Sequence, residues 1–124
     1  MRRASAALAT ALTTWLLPAH AAGDPARGAE AYEARCGGCH SVEADRVGPR
    51  HAGVVGRRAG SVPGFAYSPA LKASGFTWDE KLLERWLTNP EAVVPGQRMG
   101  YSVADAEIRA DVIAYLKTLK VPSP

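Results

Sequence analysis

Residues 35–49 read Arg35-Cys36-Gly37-Gly38-Cys39-His40-Ser41-Val42-Glu43-Ala44-Asp45-Arg46-Val47-Gly48-Pro49. Cys36 and Cys39 are the only 2 cysteines of the chain, which excludes a disulfide framework of the small secreted kind. Two thiols three residues apart, followed at once by an imidazole, form the covalent attachment pattern for c-type haem. The thiols add across the two vinyl groups, and the adjacent His40 becomes a ligand of the iron. Other readings compete at this point. A thioredoxin-like dithiol needs a preceding strand in a βαβ setting, and none is visible. A zinc knuckle needs a fourth ligand, for which His51 is available. A plain disulfide makes no use of His40.

Working outward, punctuation places four helices. Asp24 caps a helix with Pro25 at its first position, running to Arg35 with Gly28 and Tyr32 on one face. Ser68 caps a short one starting at Pro69 and closed by Gly75. A third is expected from Thr77, with Glu80 completing a capping box; it turns Leu82, Leu83, Trp86 and Leu87 inward and stops at Asn89-Pro90. The fourth carries Ile108, Val112, Tyr115, Leu116 and Leu119 at helical spacing. Between them lie two glycine- and proline-rich loops, 41–64 and 89–101, without alternating segments, so a sheet is not expected. A domain of this size is marginal in core volume. Structureless loops of that length usually wrap something functional. A large apolar group supplied from outside the chain resolves both difficulties.

The 124 residues carry 15 Lys+Arg against 12 Asp+Glu. Residues 1–21 read as a secretory signal: Arg2 and Arg3, an apolar run from Ala4 to Leu17, and Ala19-His20-Ala21 as the cleavage pattern. That run of 14 residues would rise about 21 Å as a helix, short of a hydrocarbon core of about 30 Å. Cleavage leaves 103 residues, 22–124, as one domain, with 13 basic against 12 acidic side chains. A nucleic-acid reading of the basic balance therefore has no support, and no stretch is long and apolar enough for a membrane span.

A second iron ligand separates electron transfer from catalysis. Met1 leaves with the signal, so Met99 is the only soft donor left, in the turn Pro95-Gly96-Gln97-Arg98-Met99. A lone methionine is commonly a core gap-filler; this one sits in a loop. His/Met ligation raises the reduction potential and leaves no open coordination site. His51 is the competing donor.

From Gly23 to Leu119 the chain resembles the class I cytochromes c, the soluble bacterial and mitochondrial type with a single haem. The resemblance runs through Cys36-Gly37-Gly38-Cys39-His40, Val47-Gly48-Pro49, Gly56-Arg57, Pro63-Gly64-Phe65-Ala66-Tyr67-Ser68, Trp78, Asn89-Pro90, Pro95-Gly96-Gln97-Arg98-Met99 and Ile113-Ala114-Tyr115-Leu116. It implies an all-α cytochrome c fold, about four helices with long loops around one covalently bound haem. It implies thioether bonds at Cys36 and Cys39, and axial iron ligation by His40 and Met99. Pro49 is placed to accept a hydrogen bond from the proximal imidazole. Arg57, Tyr67 and Trp78 match positions that hydrogen-bond the haem propionates. Gly28, Tyr32 and Tyr115 match the crossing of the first and last helices.

Several positions depart from the family. His51 stands where an apolar residue usually packs against the haem. Trp86 replaces a tyrosine near the methionine sulfur, so a hydrogen bond there would come from an indole N–H. Gln97 stands for threonine and Leu71 for asparagine, and the His40–Pro49 connection is shorter than in mitochondrial members. The expected function is one-electron transfer in the periplasm by a monomer, between donor and acceptor complexes such as a terminal oxidase or a periplasmic dehydrogenase. A dedicated subunit of such a dehydrogenase is the alternative, and a small haem peroxidase a more distant one. Arg35 and Arg98 flank the expected haem edge, but Glu91, Ala92 and Ala104-Asp105-Ala106 replace lysines, so weak long-range steering is expected.

Overall fold

The computed structural model describes residues 22–124; the signal expected over residues 1–21 lies outside the described residues. Helix α1 spans Pro25–Arg35, and the Asp24 carboxylate accepts from the N–H groups of Ala26 and Arg27 at 2.8 and 2.9 Å. Helix α5 spans Ala106–Thr118, capped by Asp105 through Glu107 and Ile108. The two helices pack across each other at Gly28, where a Cβ would collide with the Asp111 carbonyl and the Tyr115 side chain. Glycine therefore lets the two backbones touch. Asp111 locks the crossing: its carboxylate accepts from Asp24 N at 2.6 Å, Arg27 Nε at 2.8 Å and Arg27 Nη2 at 3.0 Å. A buried carboxylate needs such donors, since an unpaired one would cost several kcal/mol.

Helix α3 spans Glu80–Thr88 and buries Leu83, Trp86 and Leu87, with Leu82 half-buried beside them. Its cap is Asp79, bonded to Leu82 N at 2.7 Å, and not the expected Thr77. Thr77 is instead drawn into an isolated antiparallel bridge with Arg58, and Glu80 pairs with Lys117 of α5. Long-range pairing has overridden a local capping signal. Helix α2 is Pro69–Ala73, capped by Ser68 as expected, with Gly75 beyond its end. Within the loop expected at 89–101 there is one further turn of helix, α4, over Pro90–Val93. Asn89 ends α3 and caps α4, its side chain accepting from Ala92 N. Proline at the first position accounts for both events, since it stops one helix and starts the next.

Among the described residues no strand forms, and no helix is long and apolar enough to cross a membrane. Arg109 ties α5 to the rest through Glu84 at 2.6 Å and the carbonyls of Val103 and Ala104. The buried side chains Tyr32, Trp78, Leu83, Trp86, Leu87 and Val112 belong to one cluster, and all of them line a single cavity. The helices thus build a core with a hollow centre, closed by the two long loops.

Candidate functional site

The cavity has a volume of about 510 Å³. Cys36, Cys39 and His40 reach it from the turn that ends α1. His40 N bonds back to the Cys36 carbonyl at 2.8 Å, and Arg46 Nη1 braces the Gly37 carbonyl at 2.5 Å. The two cysteines form no disulfide. Burial pushes the Cys36 thiol up to about 11, against the lowering effect of Arg35, so it is not the activated thiolate of a redox dithiol. No three His, Cys, Asp or Glu side chains among the described residues converge to hold a metal ion, which removes the support for a zinc knuckle.

His40 Nδ1 donates to the Pro49 carbonyl at 2.8 Å, which leaves Nε2 as the free donor atom of the ring. Burial lowers the pKa of His40, and the Pro49 bond pulls weakly the other way. The imidazole is therefore neutral, the form that binds metals. Gly48 is bonded through its N–H to the Cys39 carbonyl, and a Cβ at this position would strike the His40 ring. Only glycine allows the chain to pass there.

Met99 lines the cavity from the turn after α4. Its backbone N–H is held by Gln97 Oε1 at 2.5 Å. Glu91 anchors the same turn through Gly96 N and Gln97 Nε2. Trp86 Nε1 donates to Met99 Sδ at 3.2 Å, the indole contact expected in place of a phenol. Trp86 also packs edge-on against Trp78, at 5.2 Å between centroids.

Arg57, Tyr67 and Trp78 line the cavity as well. Arg57 gives its two Nη groups to the Arg50 and Ala52 carbonyls at 3.0 and 3.2 Å. Its Nε is buried and has no acceptor among the described residues. A buried donor left unmade costs about 1–3 kcal/mol, so this N–H marks where an acidic group of a ligand would sit. The Tyr67 hydroxyl accepts from Val62 N at 3.0 Å and keeps its own proton for a second partner. An apolar hollow with two thiols and a free imidazole nitrogen on its wall, and an orphaned guanidinium donor inside, fits the haem that the cysteine motif predicts.

His51 is placed otherwise than a second ligand requires. Its ring stacks on His40, with centroids 4.1 Å apart and planes 20° from parallel, and Nδ1 is hydrogen-bonded to the Tyr32 hydroxyl at 2.9 Å. Two imidazoles bound on opposite sides of one metal meet it edge-on; rings stacked face to face cannot. Burial, then the charges of His40 and Arg57, push its pKa well below the usual range. Sequence reasoning marked His51 as unusual but missed its bond to Tyr32, because the two lie 19 residues apart in segments with no shared pattern. It also missed the Glu91–Gln97 latch and the Arg27–Asp111 pair.

The family model described as Cytochrome c matches residues 25–120. The chain is 45% identical over 122 residues to cytochrome c2 of Rhodomicrobium vannielii, covering 95% of this chain and 97% of that protein. It is 43% identical over 101 residues to cytochrome c2 of Rhodopila globiformis, covering 79% and 95%. Among solved structures, cytochrome cH from Methylobacterium extorquens is 46% identical, with a TM-score of 0.73 over 77% of this chain and 99% of that one.

Proposed function

The chain belongs to the cytochrome c family, as a class I, single-haem electron-transfer cytochrome, and we propose that it carries single electrons in the periplasm with His40 and Met99 as the axial ligands of its iron. Members of the family carry one covalently bound haem c and are electron carriers rather than enzymes. Bound in this cavity, the haem supplies a one-electron couple; every other task falls to the chain. Cys36 and Cys39 hold the group through thioether bonds. The Pro49 carbonyl keeps the proton on His40 Nδ1, which fixes the tautomer and raises the donor strength of Nε2. Trp86 orients the Met99 thioether. Arg57, Tyr67 and Trp78 supply hydrogen bonds for propionates, whose burial would otherwise be costly.

The observation that carries this reading is the convergence on one cavity of Cys36, Cys39, His40 and the Trp86-bonded Met99. Export rests on residues 1–21, and with it the periplasmic setting. Arg35 and Arg98 line the cavity at exposed positions, together with Val47 at 78% exposure. This mixed face suits a redox protein partner of modest charge, a donor dehydrogenase or an acceptor oxidase, engaged by a monomer.

The test is the Met99→Ala variant of the exported, haem-loaded protein. Haem should resist acid–acetone extraction, the far-red band that reports sulfur–iron bonding should vanish, and the iron should take up imidazole. Haem that extracts freely ends the thioether assignment. A variant that keeps the band and stays closed to imidazole ends the axial one.

A further inference from the structure

The Pro49 carbonyl holds the His40 ring at a single atom, Nδ1. Together with the Cβ–Cγ bond, this contact grips the ring along one edge only, so the tilt of its plane is trimmed by whatever packs on the flat face. The face is covered by His51, 4.1 Å away and nearly parallel. His51 is itself fixed. Its backbone N–H bonds to the Ser41 carbonyl at 3.0 Å, its Nδ1 to the Tyr32 hydroxyl at 2.9 Å, and its ring meets the Tyr32 ring edge-on. Tyr32 is 4% exposed in α1 and packs on Tyr115 of α5, with centroids 5.3 Å apart. A continuous line of four rings thus joins the crossing of α1 and α5 to the His40 imidazole.

We propose that Tyr32 and His51 act as a positioning pair that sets the rotation of the His40 ring and thereby tunes the iron; the inference rests on His40 being the axial ligand. An aliphatic side chain at position 51 would fill the space but has no polar atom for Tyr32 to hold and no flat face to align with a ring. Groups behind a ligating histidine orient it and alter what it donates. The plane of a bound imidazole selects which iron orbital its π system meets, so ring rotation is read directly by the anisotropy of the ferric spin signal.

The experiment compares holoproteins of the wild type, Tyr32→Phe, His51→Leu and the double variant by electron paramagnetic resonance and potentiometric titration. Each single change should alter the g anisotropy and shift the potential in the same direction. The double variant should move no further than His51→Leu alone, because the two residues act as one unit. Tyr32→Phe removes only a hydroxyl, so it remains informative if His51→Leu fails to accumulate. Unchanged g values in Tyr32→Phe overturn the proposal, and so do additive shifts in the double variant. A wild-type ferric protein without the sulfur–iron band would instead refute the His40–Met99 reading, which keeps the two failures distinct.

Discussion

Trp86→Phe isolates the hydrogen bond to the Met99 sulfur. Trp86 is 7% exposed and packed on Trp78, and phenylalanine keeps an aromatic ring there while deleting the indole N–H that lies 3.2 Å from Sδ. The smaller ring leaves roughly 40 Å³, which at ~24 cal/mol per Å³ costs about 1 kcal/mol. A neutral bond to a weak acceptor adds about 0.5–1 kcal/mol. The holoprotein should therefore lose about 1.5–2 kcal/mol, and its Tm should drop by about 7–9 °C. The effect on potential has a definite sign. With Met99 as the proposed iron ligand, the N–H would draw electron density from sulfur and make it a poorer donor to ferric iron, so removing it would favour the ferric state. If the whole bond energy acts on one oxidation state, the potential falls by roughly 20–45 mV, since 59 mV corresponds to a tenfold change for one electron. Spectroelectrochemical titration following the far-red sulfur–iron band measures both the ligation and the potential. A potential that rises or stays put while the band persists would refute this account of Trp86.

Asp111 accepts from Arg27 and from the Asp24 N–H, and these bonds hold its carboxyl below the usual carboxylate range. Its contribution to stability is present above the unfolded pKa and is lost as pH falls through the folded one. Asp111→Asn should thus be less stable than wild type near pH 7, with the gap closing in acid; a denaturation gap that persists unchanged below about pH 3 contradicts this. Gly28→Ala gains about 1 kcal/mol of helix propensity. It also forces a methyl against the Asp111 backbone, at the upper end of the roughly 1–3 kcal/mol cost of overpacking. The net effect should be a lower Tm, and a rise would show that α1 and α5 can separate freely. With 13 basic and 12 acidic side chains over residues 22–124, electron exchange with a partner protein should slow less than about tenfold between about 10 and 300 mM salt, as the Debye length shrinks from about 30 Å to below 8 Å. A fall of about a hundredfold would reveal a concentrated charged patch.

Much of the fold was legible because its signals are local. Asp24, Ser68 and Asn89-Pro90 set helix ends through bonds and steric clashes within three or four residues, and the spacing along α5 declares its buried face. Where a local signal met a distant competitor it failed. Thr77 reads as a cap, yet it lies in a bridge opposite Arg58, 19 residues upstream, closed by Ala59 N to the Phe76 carbonyl and Trp78 N to the Arg57 carbonyl, and Asp79 takes the helix instead. The turn of α4 was missed because the same Pro90 that ends α3 also starts it.

The candidate donors of the centre are legible in the order of the residues alone. Cys36, Cys39 and His40 lie within five residues, so one turn of chain presents them together, and Met99 is the only methionine outside residues 1–21. What surrounds these donors follows from long-range packing. The Trp86–Met99 contact, the orphaned Nε of Arg57, and the pairing of Tyr32 with His51 on the face of His40 join segments with no common period or cap. Such contacts depend on how α1, α3 and α5 pack around the cavity, and packing is a property of the whole chain that no short stretch encodes.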